Sequence, residues 1–142
     1  MYLLVDNTKP QIAQEDIVCY KILRPIMNRE GDKVIGHKTY YEEKQMEPGH
    51  TYYDSVSEEF GDCRDFDEKY LQKGVFHVFL DENDACEFWR GTRYSCAVYK
   101  CIIPKGSVIY KGFYHQYCYD GTYHRMPGIG AKRLKIVEYS QL

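Results

Sequence analysis

Two hydrophobic periods meet between Lys73 and Trp89. Gly74 opens a run, Val75-Phe76-His77-Val78-Phe79, that reads as a buried strand. Asp81 then stands where a helix N-cap belongs, and Glu82 and Asp84 put negative charge in the first turn, where the helix dipole favours it. Ala85, Phe88 and Trp89 recur at helical spacing and Gly91 supplies a stop, which predicts a helix over 82–90.

Elsewhere the period is mostly two. Met1–Val5 reads as an edge strand. Ile17–Leu23 sets Val18, Tyr20 and Ile22 against Cys19, Lys21 and Leu23, and Arg24-Pro25 should end it. A polar turn around Gly31 leads to Val34–Ile35. Lys38–Gln45 and His50–Asp54 flank the turn Glu47-Pro48-Gly49, as a hairpin or as a long loop entering a strand. Ser55–Asp67 reads as an acidic loop with one helical turn, and Asp67–Gln72 as a short helix. Tyr94–Ile103 and Ser107–Lys111 read as neighbours across Pro104-Lys105-Gly106. Phe113–Tyr119 and Thr122–Arg125 form a hairpin on Asp120-Gly121. Met126–Gly130 reads as a Gly/Pro loop, and Leu134–Tyr139, apolar on alternate residues, as a last strand. With no repeat or linker, residues 1–142 are expected to form a single α+β domain, mostly antiparallel strands with one clear helix.

Charge changes the picture only when it is divided along the chain. The net charge is −2, but residues 42–90 carry 14 acids against 5 bases, and residues 91–142 carry 8 bases against 2 acids. Either these are two solvated faces, or the basic third meets an anionic ligand. Tyrosine is over-represented, at 15 residues against 6 Phe and 1 Trp, which raises the expectation of an aromatic-lined surface. The 6 cysteines show no metal-ligand spacing. Cys19 and Cys101, inside apolar runs, read as small core residues. Met1–Val5 is too short for a signal-peptide core and no apolar run approaches spanning length, so a cytoplasmic protein with reduced thiols and no membrane contact is expected.

Lys21 and Lys100 each interrupt an apolar strand. They either reach solvent or line a cavity, where two ammonium groups together hold a phosphate or carboxylate. His77, between Phe76 and Val78, is either a core histidine satisfied by a polar neighbour or a group facing a cleft. Gly128-Ile129-Gly130-Ala131-Lys132-Arg133 lacks the spacer and the Lys-Ser/Thr ending of a phosphate loop. The hairpin carrying Tyr117, Tyr119, His124 and Arg125 offers stacking faces and charge, with Lys132 nearby.

The order of a Gly-aromatic strand, an acidic cap, the helix Ala85-Cys86-Glu87-Phe88-Trp89, then a strand closing on Ile102-Ile103-Pro104-Lys105-Gly106-Ser107 resembles the core of the ADP-ribosyltransferase fold over about Ile17 to Lys111. The Gly74–Phe79 run also looks like that of small phage and gut-bacterial proteins sharing a G-F-H-x-F signature. Aligned on Pro104–Ser107, the place of that family's catalytic glutamate holds Lys100. The preceding glutamate of the pair falls on Val98, the first-strand arginine of one subgroup on Lys21, and the Ser-Thr-Ser element has no counterpart. A lysine has the wrong sign to stabilise a cationic ribosyl transition state, so the resemblance implies the fold without the transferase reaction.

The expectation is therefore a non-enzymatic domain, without cofactor or metal, that binds an anionic nucleotide-like small molecule and no nucleic-acid polymer. Lys21, His77 and Lys100 would form the floor of the cleft. Tyr117, Tyr119, His124, Arg125 and Lys132 would supply stacking and charge. On the phage likeness, the role is sequestration of a host-defence nucleotide signal. One rival is an ADP-ribosyltransferase or nucleotide-cleaving enzyme using His77. The other is an interaction module whose Tyr-rich hairpin forms a homo-oligomer or binds a protein.

Overall fold

A computed structural model describes residues 3–5, 8–39, 45–62, 69–90, 96–117 and 123–139, with the backbone alone for residues 89, 90, 116, 117, 123, 138 and 139. The strands are β1 (Leu3–Val5), β2 (Gln11–Ile12), β3 (Ile17–Met27), β4 (Val34–Thr39), β5 (Thr51–Tyr53), β6 (Glu59–Asp62), β7 (Lys69–Lys73) and β8 (Phe76–Phe79). The helix α1 (Glu82–Arg90) follows, then β9 (Ala97–Ile103), β10 (Val108–Tyr117), β11 (Tyr123–Ala131) and β12 (Arg133–Tyr139). All join one sheet in the order β5-β12-β9-β3-β8-β11-β10-β1-β7-β6, with β2 added to β10 and β4 to β3. Each ladder is antiparallel. Among the described residues the chain thus adopts a mostly antiparallel α+β arrangement with one helix.

Only Lys132 separates β11 from β12, yet β9, β3 and β8 lie between them in the sheet. The sheet must therefore curl until its two arms meet at Lys132. Inside the curl one core gathers Cys19 and Leu23, Phe76 and Val78, Tyr99 and Cys101, Ile129, Leu134 and Ile136. Alternate residues of the same strands face the other way. There Ile22, Phe79, Val98, Tyr114 and Met126 pack with Leu3, Leu71, and Ala85 and Phe88 of α1. Fully burying each such aliphatic or aromatic side chain stabilises the fold by about 1.5–3 kcal/mol. The helix begins as its sequence dictates: Asp81 Oδ1 accepts the Asn83 N–H at 2.7 Å, the N-cap bond.

Several sequence expectations need correction, mostly where pairing partners are distant in sequence. β1 is no edge strand; it runs between β10 and β7 and is wholly buried. β3 continues through Pro25, which pairs with His37 of β4; among the described residues β9 flanks β3 only as far as Leu23↔Ala97, so no ladder bond is asked of the proline on that side. β5 pairs with β12 and, among the described residues, not with β4, so of the two readings of this stretch the loop entering a strand is the one observed; residues 40–44 lie outside the described residues. The 55–67 loop contains β6, and the expected 67–72 helix is β7, held between β1 and β6. β9 and β10 are not neighbours across Gly106. β10 and β11 do pair, out to Tyr117↔Tyr123; the turn itself lies outside the described residues.

Met126–Gly130 is strand and not a loop. Its glycines make room for neighbours: a Cβ on Gly128 would sit 2.2 Å from Tyr114 Cε2, and one on Gly130 2.7 Å from Val75 Cγ2. Tyr114 lies in that seat, its hydroxyl donating to Val78 O at 3.0 Å and its ring 4.7 Å from Phe79. Among the described residues no helix is long and apolar enough to cross a membrane.

Candidate functional site

Register separates the two strand lysines. Lys21 stands opposite Tyr99, and Lys100 opposite Tyr20, so their side chains leave opposite faces of the sheet. Lys21 is 8 % exposed and its Nζ donates to His77 O at 2.9 Å. The His77 ring points to the other face, where Nε2 lies 3.0 Å from Leu71 O beside Tyr114. His77 is a core histidine satisfied by a carbonyl. Lys100 is half-buried with Tyr20 and, across β12, the backbone of Glu138 as register partners. These three residues do not form one cleft floor.

In the second group, His124, Arg125 and Lys132 are each engaged within the protein. His124 Nε2 lies 3.5 Å from Asp84 Oδ1, tying β11 to the first turn of α1. The Arg125 guanidinium covers the Phe113 ring at 4.3 Å. Tyr117 is described through its backbone alone, and Tyr119 lies outside the described residues. Lys132 is 7 % exposed and uses all three N–H donors within the protein, 2.7 Å each from Val56 O, Gly74 O and Glu58 Oε1. Glu58 Oε2 in turn accepts the Tyr110 hydroxyl at 2.8 Å. Burial, then that hydrogen bond, pushes the Tyr110 phenol up to about 12. Burial alone would raise Glu58, but the bonds from Lys132 and Tyr110 bring its carboxyl below the ordinary range. Lys132 is a structural clasp where the sheet closes.

That clasp borders an open pocket of about 200 Å³. Its apolar walls come from Met46, Tyr52, Tyr53, Val56 and Phe76, and its polar lining from Gln45, Asp54 and Ser55. Strand alternation turns Tyr52 into the core and leaves Tyr53 outside, 66 % exposed. Asp54 is buried at 2 %, its N–H donating to Lys132 O at 2.8 Å and its Oδ1 accepting Val56 N–H at 3.0 Å. The wall at 45–47 is pinned: Met46 N–H donates to His37 O at 3.1 Å, and Glu47 N–H to the Tyr52 hydroxyl at 2.7 Å. Both Glu47 oxygens are used, on His37 N–H and Nδ1, each at 2.8 Å. Burial works against the Glu47 charge, yet the His37 contacts hold its carboxyl below the usual value.

Outside the pocket, Arg133 stands directly opposite Tyr53 and Lys135 opposite Thr51. Their register places both cations on the outer face beside the exposed Tyr53 ring, while Leu134 and Ile136 fill the core. Arg133 donates to Ser107 Oγ at 3.3 Å and to Lys105 O at 3.2 Å, which holds the guanidinium against the turn that follows β9. The arrangement offers an aromatic-walled slot with a carboxylate in its lining and, on the outer face of β12, two cations in register with Tyr53 and Thr51. The sequence reading missed this site. Its only signals were the alternation of Arg133 and Lys135 with Leu134 and Ile136, and the Tyr52-Tyr53-Asp54 run after a glycine turn. Among the described residues, no cluster of His, Cys, Asp and Glu could hold a metal ion. No protein family, curated protein or solved structure matches this chain.

Proposed function

We propose that this chain is a non-enzymatic domain binding an anionic, nucleotide-like small molecule, with its ring in the pocket beside Tyr53 and its phosphate on Arg133 and Lys135. The observation that carries the reading is the register of β5 on β12, which sets an exposed aromatic face against two outward cations. Stacking accepts any flat ring, and paired cations hold a phosphate without acid–base chemistry. The basic excess of residues 91–142 agrees with it. So does the resemblance to an ADP-ribosyltransferase-like fold with a lysine in place of the glutamate, which favours holding over converting. The sequestering of a host-defence nucleotide belongs to the same proposal through the phage likeness.

The test is calorimetric titration and thermal melting with nucleoside 5′-monophosphates, the matching nucleosides and NAD. Ligand at a hundred times Kd should add about 2.7 kcal/mol of stability. Arg133→Ala/Lys135→Ala should weaken monophosphates but not nucleosides, and Tyr53→Ala should weaken both. No melting shift with any of these compounds at millimolar concentration defeats the reading. Conversion of NAD or of a monophosphate to product, abolished by His77→Ala in a folded protein, would favour the enzymatic rival.

A further inference from the structure

We infer that the open edge of β5 takes an extended acidic peptide as an added strand, a ligand class beyond the nucleotide reading. β5 ends the strand order, and its ladder among the described residues is to β12. Asp54 N–H donates to Lys132 O and Ile136 N–H to His50 O, so residues 50, 52 and 54 are the bonded positions of that ladder. Antiparallel bonding alternates along a strand, so the N–H and C=O groups of Thr51 and Tyr53 point to the opposite edge. Among the described residues no strand pairs with that edge, and Thr51 and Tyr53 are both exposed. An unpaired edge is a template for another chain, which binds by continuing the ladder.

Side chains decide which peptide fits. Tyr52 turns to the core and Tyr53 outward, yet both line the pocket of about 200 Å³. Residues on opposite faces of one strand share a cavity only along its edge, so the pocket lies beside the unbonded backbone. A peptide antiparallel to β5 presents, in its own N-to-C order, residues opposite Tyr53, Tyr52 and Thr51. The first packs on the exposed Tyr53 ring. The second points inward and enters the pocket against Met46 and Phe76, so it is apolar. The third lies on the outer face, across Thr51 from the exposed Lys135. The four-carbon stem of that lysine reaches over the short threonine to a carboxylate there. Two copies of this chain paired on the same edge would bring Lys135 and Arg133 of both to the outer face, with no acid among residues 51, 53, 133 and 135 to meet them. Charge therefore favours an acidic segment of another protein. The peptide and the nucleotide share the pocket and so exclude one another.

The experiment is fluorescence anisotropy of the intact chain with labelled heptapeptides and no nucleotide, so its failure leaves the nucleotide reading standing. The central residues of the peptides are Val or Tyr, then Leu or Met, then Asp or Glu, flanked by Ser and Thr. Each central amide is then N-methylated in turn. Methylation at the first or third position should weaken binding about tenfold or more, because those N–H groups bond β5. Methylation at the second, whose N–H points away, should change it by less than about threefold. Lys in place of the acid should bind about threefold or more weaker, and Lys135→Glu should reverse that preference. If Lys135→Glu does not melt cooperatively, the methylation series on the unaltered chain decides. No binding of any peptide at millimolar concentration, equal loss from methylation at all positions, or an acid preference that survives Lys135→Glu overturns the assignment. So does a chain that light scattering finds dimeric by itself and monomeric with Thr51→Pro, which gives the edge to a second copy.

Discussion

Lys132→Met is the most informative single perturbation of this fold. It keeps much of the apolar stem and deletes the ammonium group that joins Val56 O, Gly74 O and Glu58 Oε1. Stripping one partner from a buried pair costs about 3–5 kcal/mol, mainly because the other charge stays desolvated. The Glu58 side chain retains 26 % of its exposure, so water relieves part of that cost and the lower end, about 3 kcal/mol, is expected. Against a total stability of about 5–15 kcal/mol this is a large fraction. Urea unfolding of the wild type, Lys132→Met, Glu58→Gln and the double variant measures both the loss and the coupling. The double variant should be less destabilised than the sum of the singles by about 1–3 kcal/mol. The acid limb gives a second readout. The Glu58 carboxyl is depressed in the folded state, so its contribution is complete above the ordinary value of 4.5 and is lost as pH falls through the lower, folded value. Lys132→Met should flatten that limb. A loss under about 0.5 kcal/mol, typical of an exposed surface site, would refute the clasp.

Three further outcomes follow from the same packing. Gly128→Ala should cost about 1–3 kcal/mol by driving a methyl group into the Tyr114 ring, and Tyr114→Leu in the same chain should recover part of it, as read by thermal melting. Burial pushes the Cys101 thiol up to about 12 and the Cys19 thiol higher still, so iodoacetamide at pH 8 should alkylate both only as fast as the protein unfolds. Mass-spectrometric labelling faster than that would contradict their burial. His37→Ala should destabilise by about 1 kcal/mol above pH 5, because it removes a hydrogen bond to a carboxylate that is partly exposed. Because the Glu47 carboxyl is depressed, the penalty should shrink as pH falls below 4.5; a penalty independent of pH would assign the effect to packing on Tyr99 instead.

Local signals were legible wherever one segment carried its own instruction. The cap at Asp81, the helical spacing through Phe88 and the alternation in β3, β9 and β12 could be read directly, because propensity and period are properties of neighbouring residues. The sequence by itself determined a mostly antiparallel sheet with one capped helix and buried cysteines at positions 19 and 101. Pairing was beyond it. Leu3–Val5 becomes an inner strand only because β10 and β7 arrive on either side, and Lys69–Lys73 is a strand because β1 and β6 hold it so. Nor could composition tell that Gly128 and Gly130 leave space for Tyr114 and Val75. The tertiary structure alone decided which charges act. A strand's side-chain period is two, so Lys21 against Tyr99 and Lys100 against Tyr20 put the two ammonium groups on opposite faces. The same rule sets Arg133 and Lys135 outward beside Tyr53, and the closing of the sheet at Lys132 engages that lysine's charge internally. Register is a long-range choice made by the packing of the whole core, which is why the pocket at Tyr53 and Asp54 appears only once the strands are in place.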